Sequence, residues 1–361
     1  MFQIGRGYGK QKVMKLTFLR NIAICSVVVL LTLFVGCGSE QAEYRVVDGQ
    51  MLGTFLHLSA QTTEPSGEIF NRMMEIDAEA KKSMSIFDEN SLLSRINRSE
   101  TDLMDHHIKF NLELAARITQ VSDGAYDVTV KPLVEAYGFA GKERLTKVNV
   151  DSLMEFVGFE KLRIEGDRLI KSDSRVQLDF NSIAKGYTVD LAAQALEQMG
   201  ADNYIVDIGG EVRCKGVNKK GQAWRIGIET PFDGNNTAGE HIQQIISLNN
   251  CSLATSGNYR RFYIDESGRK VTHTIDPRTG QSVVSDLLSA TVIAPTCAEA
   301  DAYGTMFMAL GRERALEVAR QLEPQGVMVY FITSAADGNY EIYYSSGLAS
   351  HLKLTDGMRV I

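Results

Sequence analysis

The chain has 361 residues, 44% of them hydrophobic, and a formal net charge of −7. That length can bury a large core without disulfides or metals. An acidic balance excludes the basic face that nucleic acid demands.

The N-terminal segment stands apart. Arg6, Lys10, Lys12, Lys15 and Arg20 form a basic region with no acid, followed by an apolar run over residues 22–35. A spanning helix needs about 20 apolar residues, so this shorter run reads as a secretory signal. Leu33-Phe34-Val35-Gly36-Cys37 resembles a bacterial lipobox, with Phe34 where leucine is usual. The resemblance implies that Cys37 is lipidated and becomes the mature N-terminus. Residues 1–36 are then a lipoprotein signal peptide, 37–47 a tether, and 48–361 one large domain. The expected location is outside the cytoplasm, anchored by lipid to the periplasmic side of the inner membrane or to the outer membrane. An uncleaved signal anchor is the competing reading, and Met14 is a second candidate start. Losing five positive charges and no acid moves the balance from −7 to −12. Beyond Cys37 there remain Cys214, Cys251 and Cys297. An odd count with no CxxC argues against a disulfide framework and a zinc site.

Through the domain, strands and helices are interspersed without repeats or a proline-rich linker. Residues 52–58 read as a strand. Residues 68–85 read as a helix, with Ile69, Met73, Ile76 and Ala80 on one face. A polar loop with an exposed His106-His107 precedes a helix over 112–122, ended by Asp123-Gly124. Asn181 is placed to cap a helix to Met199, which Gly200 closes. Strands follow at 203–208, 223–229, 244–249, 252–255, 260–264 and 270–274, with a hairpin turn at Asp265-Glu266-Ser267-Gly268. Residues 288–294 form a buried strand, and Thr296-Cys297-Ala298-Glu299 is a capping box opening a helix. Strands at 327–333 and 341–345 close the chain around Asp337-Gly338-Asn339. Antiparallel hairpins with separated helices define the α+β class, not a doubly wound parallel sheet.

Three segments carry candidate chemistry. Asp301 and Thr305 lie four apart on one helix face. A carboxylate and a hydroxyl are hard oxygen donors suited to Mg²⁺, although Asp-x-x-x-Thr near a helix start is also common without a metal. Asp179 precedes a helix start, where backbone amides favour anions. Lys185 adds a cation there, and Gly186 costs roughly 1 kcal/mol in a helix interior, which hints at close approach of a backbone or ligand. His273 stands three residues before Asp276-Pro277-Arg278-Thr279-Gly280, a well-formed turn that presents both His273 and Asp276.

In this order the segments resemble the ApbE family of FAD:protein FMN transferases. The resemblance is carried by Met51-Leu52-Gly53-Thr54, by residues 84–97, and by 124–134, which include Gly124-Ala125-Tyr126-Asp127. It continues through residues 179–190, Gly209-Gly210, Ala254-Thr255-Ser256-Gly257, His273 to Gly280, and Ala300-Asp301-Ala302-Tyr303-Gly304-Thr305. It implies Mg²⁺-dependent transfer of FMN from FAD to a threonine or serine hydroxyl of an acceptor protein, releasing AMP. Asp301, Thr305 and the Ser182 carbonyl would bind the magnesium. Met51, Phe87, Ala125, Tyr126, Asp127, Asp179, Lys185 and Ile275 would line the FAD site, with Phe87 where family members often carry tyrosine. An apolar wall of Met51, Phe87 and Tyr126 would suit a flavin or adenine ring. His273 is the candidate base for the acceptor's proton, and Asp276 competes for that role. The acceptor comes in trans, as an exported or membrane-anchored electron-transfer subunit. A Mg²⁺-dependent FAD pyrophosphatase and a non-catalytic flavin-binding lipoprotein are the alternatives.

Overall fold

The computed structural model describes residues 41–141, 143–145, 148–235, 239–353 and 359–361. The expected signal peptide, the lipobox with Cys37, and residues 38–40 lie outside them. Strand β1, Glu43–Met51, turns through Leu52 (φ 50°) and Gly53 (φ 76°) into β2, Thr54–Thr62. Two positive φ angles make the tight turn that matches strand twist. β1 begins inside the stretch read as a tether, so residues 43–47 belong to the folded unit.

Among the described residues the main sheet has nine strands. After β1 and β2 come β3, Tyr204–Ile208; β4, Glu211–Lys215; β5, Cys251–Gly257; β6, Leu287–Ala294; β7, Met328–Ser334; β8, Tyr340–Tyr344; and β9, Arg359–Val360. Their order in space is their order in the chain. Every neighbouring pair is antiparallel except β8 and β9. The sheet is therefore a meander, with helices and hairpins inserted between its strands, and the α+β class holds.

Among the described residues there are four long helices: α1, Ser66–Met84; α2, His106–Val121; α3, Ala184–Gln198; and α4, Cys297–Leu322, interrupted at Gly311. One face of β1–β3 buries Leu56, Leu58, Tyr204 and Val206 with Ile69 and Met73 of α1 and Ala192 and Leu196 of α3. Ala254, Val292 and Phe331 of the later strands meet Met306 and Phe307 of α4 and Leu112 of α2. The opposite face of the central strands is covered by the hairpin Trp224–Glu229 with Ile242–Leu248. Burying a large aliphatic or aromatic side chain stabilises by roughly 1.5–3 kcal/mol, so α3 and α4 are held firmly against the sheet.

Two helix starts near the site also differ from the sequence reading. Helix α2 starts at His106, because the Asp105 side chain accepts the Ile108 N–H at 2.9 Å. His106 stays exposed, but His107 is buried with Nδ1 3.0 Å from the Tyr187 hydroxyl. Helix α3 starts at Ala184, not after an Asn181 cap. Asp179 takes the Asn181 N–H at 2.7 Å, and the Phe180 carbonyl takes those of Ile183 and Ala184. This side-chain bond offers the backbone a turn instead of a helical start.

Candidate active site

The site forms where α3 crosses the N-terminus of α4. Thr296 Oγ1 accepts the Glu299 N–H at 3.3 Å, completing the capping box from the helix side. Asp190 of α3 accepts the N–H groups of Cys297 and Ala298 at 3.0 and 2.9 Å, and also pairs with Arg213 of β4. A carboxylate at a helix N-terminus satisfies orphan donors and complements the dipole. Asp190 was not singled out from sequence, yet it fixes the helix that carries Asp301 and Thr305.

One turn earlier in α3, Gly186 donates its N–H to Asp301 Oδ2 at 3.0 Å. A Cβ on Gly186 would lie 2.2 Å from the Cys297 carbonyl oxygen. The glycine is thus required by the α3–α4 backbone approach. Gly186 lies in the first turn of α3, where the N–H has no intrahelical partner, and Asp301 supplies the acceptor. Asp301 is 5% exposed. Burial first, then the nearby Glu211 charge, pushes its pKa up to about 7 against the pull of Lys185 and the Gly186 N–H.

Glu211 opens β4 immediately after the Gly209-Gly210 turn. Its Oε1 lies 2.6 Å from Lys185 Nζ, and its buried Oε2 has no hydrogen-bond partner among the described residues. Sequence reading stopped at the two glycines. A glutamate at the start of a buried strand was the available signal. Lys185 is raised in pKa: the attraction of Glu211 and Asp301 outweighs the desolvation that opposes it. Asp207, at the other side of the turn, is pushed up to about 6 chiefly by burial.

His273 follows the Lys270–Thr272 strand, with Nδ1 3.3 Å from the Arg261 carbonyl oxygen. Desolvation, with smaller contributions from the charges of Arg261 and Lys185, lowers its pKa to about 4. The influence of Lys185 ties this loop electrostatically to the Asp301 cluster. Asp276 is engaged differently. Its carboxylate accepts the Arg278 backbone N–H, Nε and Nη2, each at 2.9 Å, and its carbonyl accepts the Thr279 and Gly280 N–H groups. This bidentate clamp builds the turn, which leaves His273 the freer of the two candidate bases.

The expected flavin-lining residues divide. Phe87 is 65% exposed and available for stacking. Tyr126 is buried, its hydroxyl accepting from Ser182 Oγ at 3.0 Å, and it feels the charge of Asp301. Met51 is fully buried against α1 and α3, and Ala125 and Ile275 are also buried. The Met51 side chain is core here and does not extend an apolar wall with Phe87. Asp127 caps the short helix Val128–Val130 through the Thr129 N–H at 2.8 Å and takes the Phe159 N–H at 2.7 Å. Asp179 is spent on the Asn181 turn. Both are buried carboxylates with raised pKa, desolvation being the main cause.

A hard divalent cation suits this donor set. Two buried carboxylates, Asp301 raised by the charge of Glu211 and Glu211 itself with an orphaned oxygen, have Lys185 as their close cation. A cation would relieve that repulsion, and half-buried Thr305 stands one turn from Asp301 on α4. Among the described residues no group of three or more His, Cys, Asp or Glu is arranged as a metal cage. Magnesium does not need one, since it keeps several waters and uses one or two carboxylates.

Fold and site together define an α+β enzyme with a buried acid–amine–acid cluster beside a histidine loop. The chain belongs to the ApbE family, whose model matches residues 52–331. It is 34% identical over 352 residues to the FAD:protein FMN transferase of Haemophilus influenzae, covering 92% of this chain and 98% of that one. The Vibrio cholerae protein of the same name is 34% identical over 326 residues, covering 88% and 95%. Among solved structures, the flavin transferase ApbE from Vibrio cholerae superimposes with a TM-score of 0.76 at 32% identity, over 86% of this chain and all of that one. The apo flavinyl transferase ApbE of Pseudomonas stutzeri gives 0.75 at 28% identity, over 86% and 97%.

Proposed function

We propose that this protein is a flavin transferase that moves FMN from FAD to a threonine or serine hydroxyl of an acceptor protein, with Mg²⁺ required and AMP released. The observation that carries the reading is the Asp301–Lys185–Glu211 cluster at the α3–α4 crossing, in a chain whose relatives are FAD:protein FMN transferases.

In this reaction the acceptor oxygen forms a bond to the FMN phosphorus, the pyrophosphate P–O bond breaks, and AMP departs. Asp301, Thr305 and the Ser182 carbonyl would hold the magnesium, which neutralises pyrophosphate charge when bound. Lys185 adds a fixed cation against the charge growing on the leaving phosphate. Phe87 offers an exposed ring for stacking on flavin or adenine. His273 is neutral at pH 7 and accepts the hydroxyl proton. A base with a pKa near 4 is weak: burial is the main cause, and only the smaller part, from the charges of Arg261 and Lys185, is offset when an anionic substrate sits beside them.

The N-terminal signal and Cys37 support export and lipid anchoring to a membrane. The acceptor is then an exported or membrane-anchored electron-transfer protein met in trans. The test is to incubate purified protein with Mg²⁺, FAD and an acceptor domain and measure the acceptor's intact mass. Addition of one FMN together with AMP supports the proposal. FMN and AMP appearing at the same rate with an unmodified acceptor would make it a pyrophosphatase.

A further inference from the structure

Cys214 in β4 and Cys251 in β5 are 37 positions apart in the chain but directly opposite in the antiparallel register. They share a face, because Val212 and Leu253, also opposite, lie with them over the inserted hairpin. Residues directly opposite in an antiparallel pair have Cα atoms about 4.5 or 5.5 Å apart. Either spacing lies within the roughly 4.4–6.8 Å that a disulfide requires. Both thiols are free in the structure, Cys214 buried and Cys251 partly exposed. Cys297 is fully buried in the cluster on the other face of the sheet. We propose that Cys214 and Cys251 form a reversible cross-strand disulfide, a redox-modification site separate from the flavin-transfer cluster.

The two thiols are unequal in a way that orders the chemistry. Cys251 is the more accessible, and hydrogen bonding from Cys214 lowers its pKa despite desolvation. Hydrogen bonding to Cys251 and burial raise that of Cys214. The thiolate is the attacking species, so Cys251 strikes one sulfur of a small disulfide oxidant and expels the first thiolate. Cys214 loses its proton, attacks the Cys251 sulfur of the mixed disulfide and expels the second thiolate. Two protein thiols are oxidised, one external disulfide is reduced to two thiols, and the two protons go to the leaving thiolates. The product closes a loop over residues 215–250, which carries the hairpin that covers the sheet. An exported protein would meet such oxidants, but the register is the basis of the inference wherever the protein resides.

The test equilibrates the full chain with oxidised glutathione, traps free thiols by alkylation, and maps unreduced peptides by mass. We expect a Cys214–Cys251 linked peptide that dithiothreitol removes, with Cys297 alkylated only after denaturation. The oxidised form should melt roughly 5 °C above the reduced form. Cys214→Ser should leave Cys251 as a persistent glutathione adduct, whereas Cys251→Ser should leave Cys214 unmodified. Two outcomes in the unmutated chain would overturn the proposal: both thiols staying alkylatable, or an adduct on Cys251 that never resolves. Neither depends on a variant folding.

Discussion

Gly186→Ala separates two opposed effects of one methyl group. In an unconstrained helix interior the change stabilises by about 1 kcal/mol. Here the new Cβ would stand 2.2 Å from the Cys297 oxygen, 2.6 Å from its carbonyl carbon and 2.8 Å from Asp301 Cβ. Two of these are backbone atoms of the first turn of α4, which Asp190 holds in place. Relief requires the helices to part by about 1 Å, and overpacking of this kind costs about 1–3 kcal/mol or more. The net is a loss of up to about 2 kcal/mol, or a few degrees in melting temperature for a fold of this size. Because α4 carries Asp301, a shift of that size should also cost about 100-fold in flavin transfer. Differential scanning calorimetry and the acceptor-mass assay read the two effects. Gly67→Ala is the control: this helix-start glycine is exposed and a Cβ would meet nothing within 4 Å. It should be neutral or slightly stabilising. If Gly186→Ala melts at or above the unmodified protein with its activity intact, the tight crossing is not what demands glycine, and the geometry assigned to Asp301 falls with it.

Two other predictions follow from the same site and a third from the N-terminal segment. Asp301→Ala should abolish transfer and Thr305→Ala should raise the Mg²⁺ requirement without abolishing it, both read in a Mg²⁺ titration; in the unmodified protein, Mg²⁺ affinity should weaken below about pH 7 as Asp301 takes up its proton. His273→Ala should lower turnover by roughly 10²–10⁴-fold with FAD binding retained; in the unmodified enzyme the rising limb of kcat/KM should lie near pH 4, not near the ordinary histidine value of 6.5. Between those values the unfolded chain binds the His273 proton and the folded one does not, so urea titrations should show this contribution to stability intact above pH 6.5 and lost as pH falls towards 4. Cys37→Ser should release a soluble exported protein or block maturation on fractionation, and a processed variant that stays on the membrane would point to another anchor.

Much of the architecture was legible in the amino-acid order. The apolar spacing of Ile69, Met73, Ile76 and Ala80, the run at 288–294 and the Thr296 capping box are local patterns, and helix and strand periods are written locally. The ordered motifs from Met51 to Thr305 carried the family, and the Asp301–Thr305 spacing put two oxygen donors on one helix face. Only the tertiary structure decided what those residues meet. Asn181 is no cap because the turn built by Asp179 and the Phe180 carbonyl delays the helix to Ala184, and His107 is buried with a partner in Tyr187, 80 positions away. Asp276 is clamped by Arg278, while Glu211 arrives beside Lys185 and Asp301 through the β3–β4 turn. Gly186 answers to the carbonyl of Cys297 and Cys214 faces Cys251 for the same reason. Contacts between distant positions are set by how helices cross and strands register, and neither leaves a period in the local sequence.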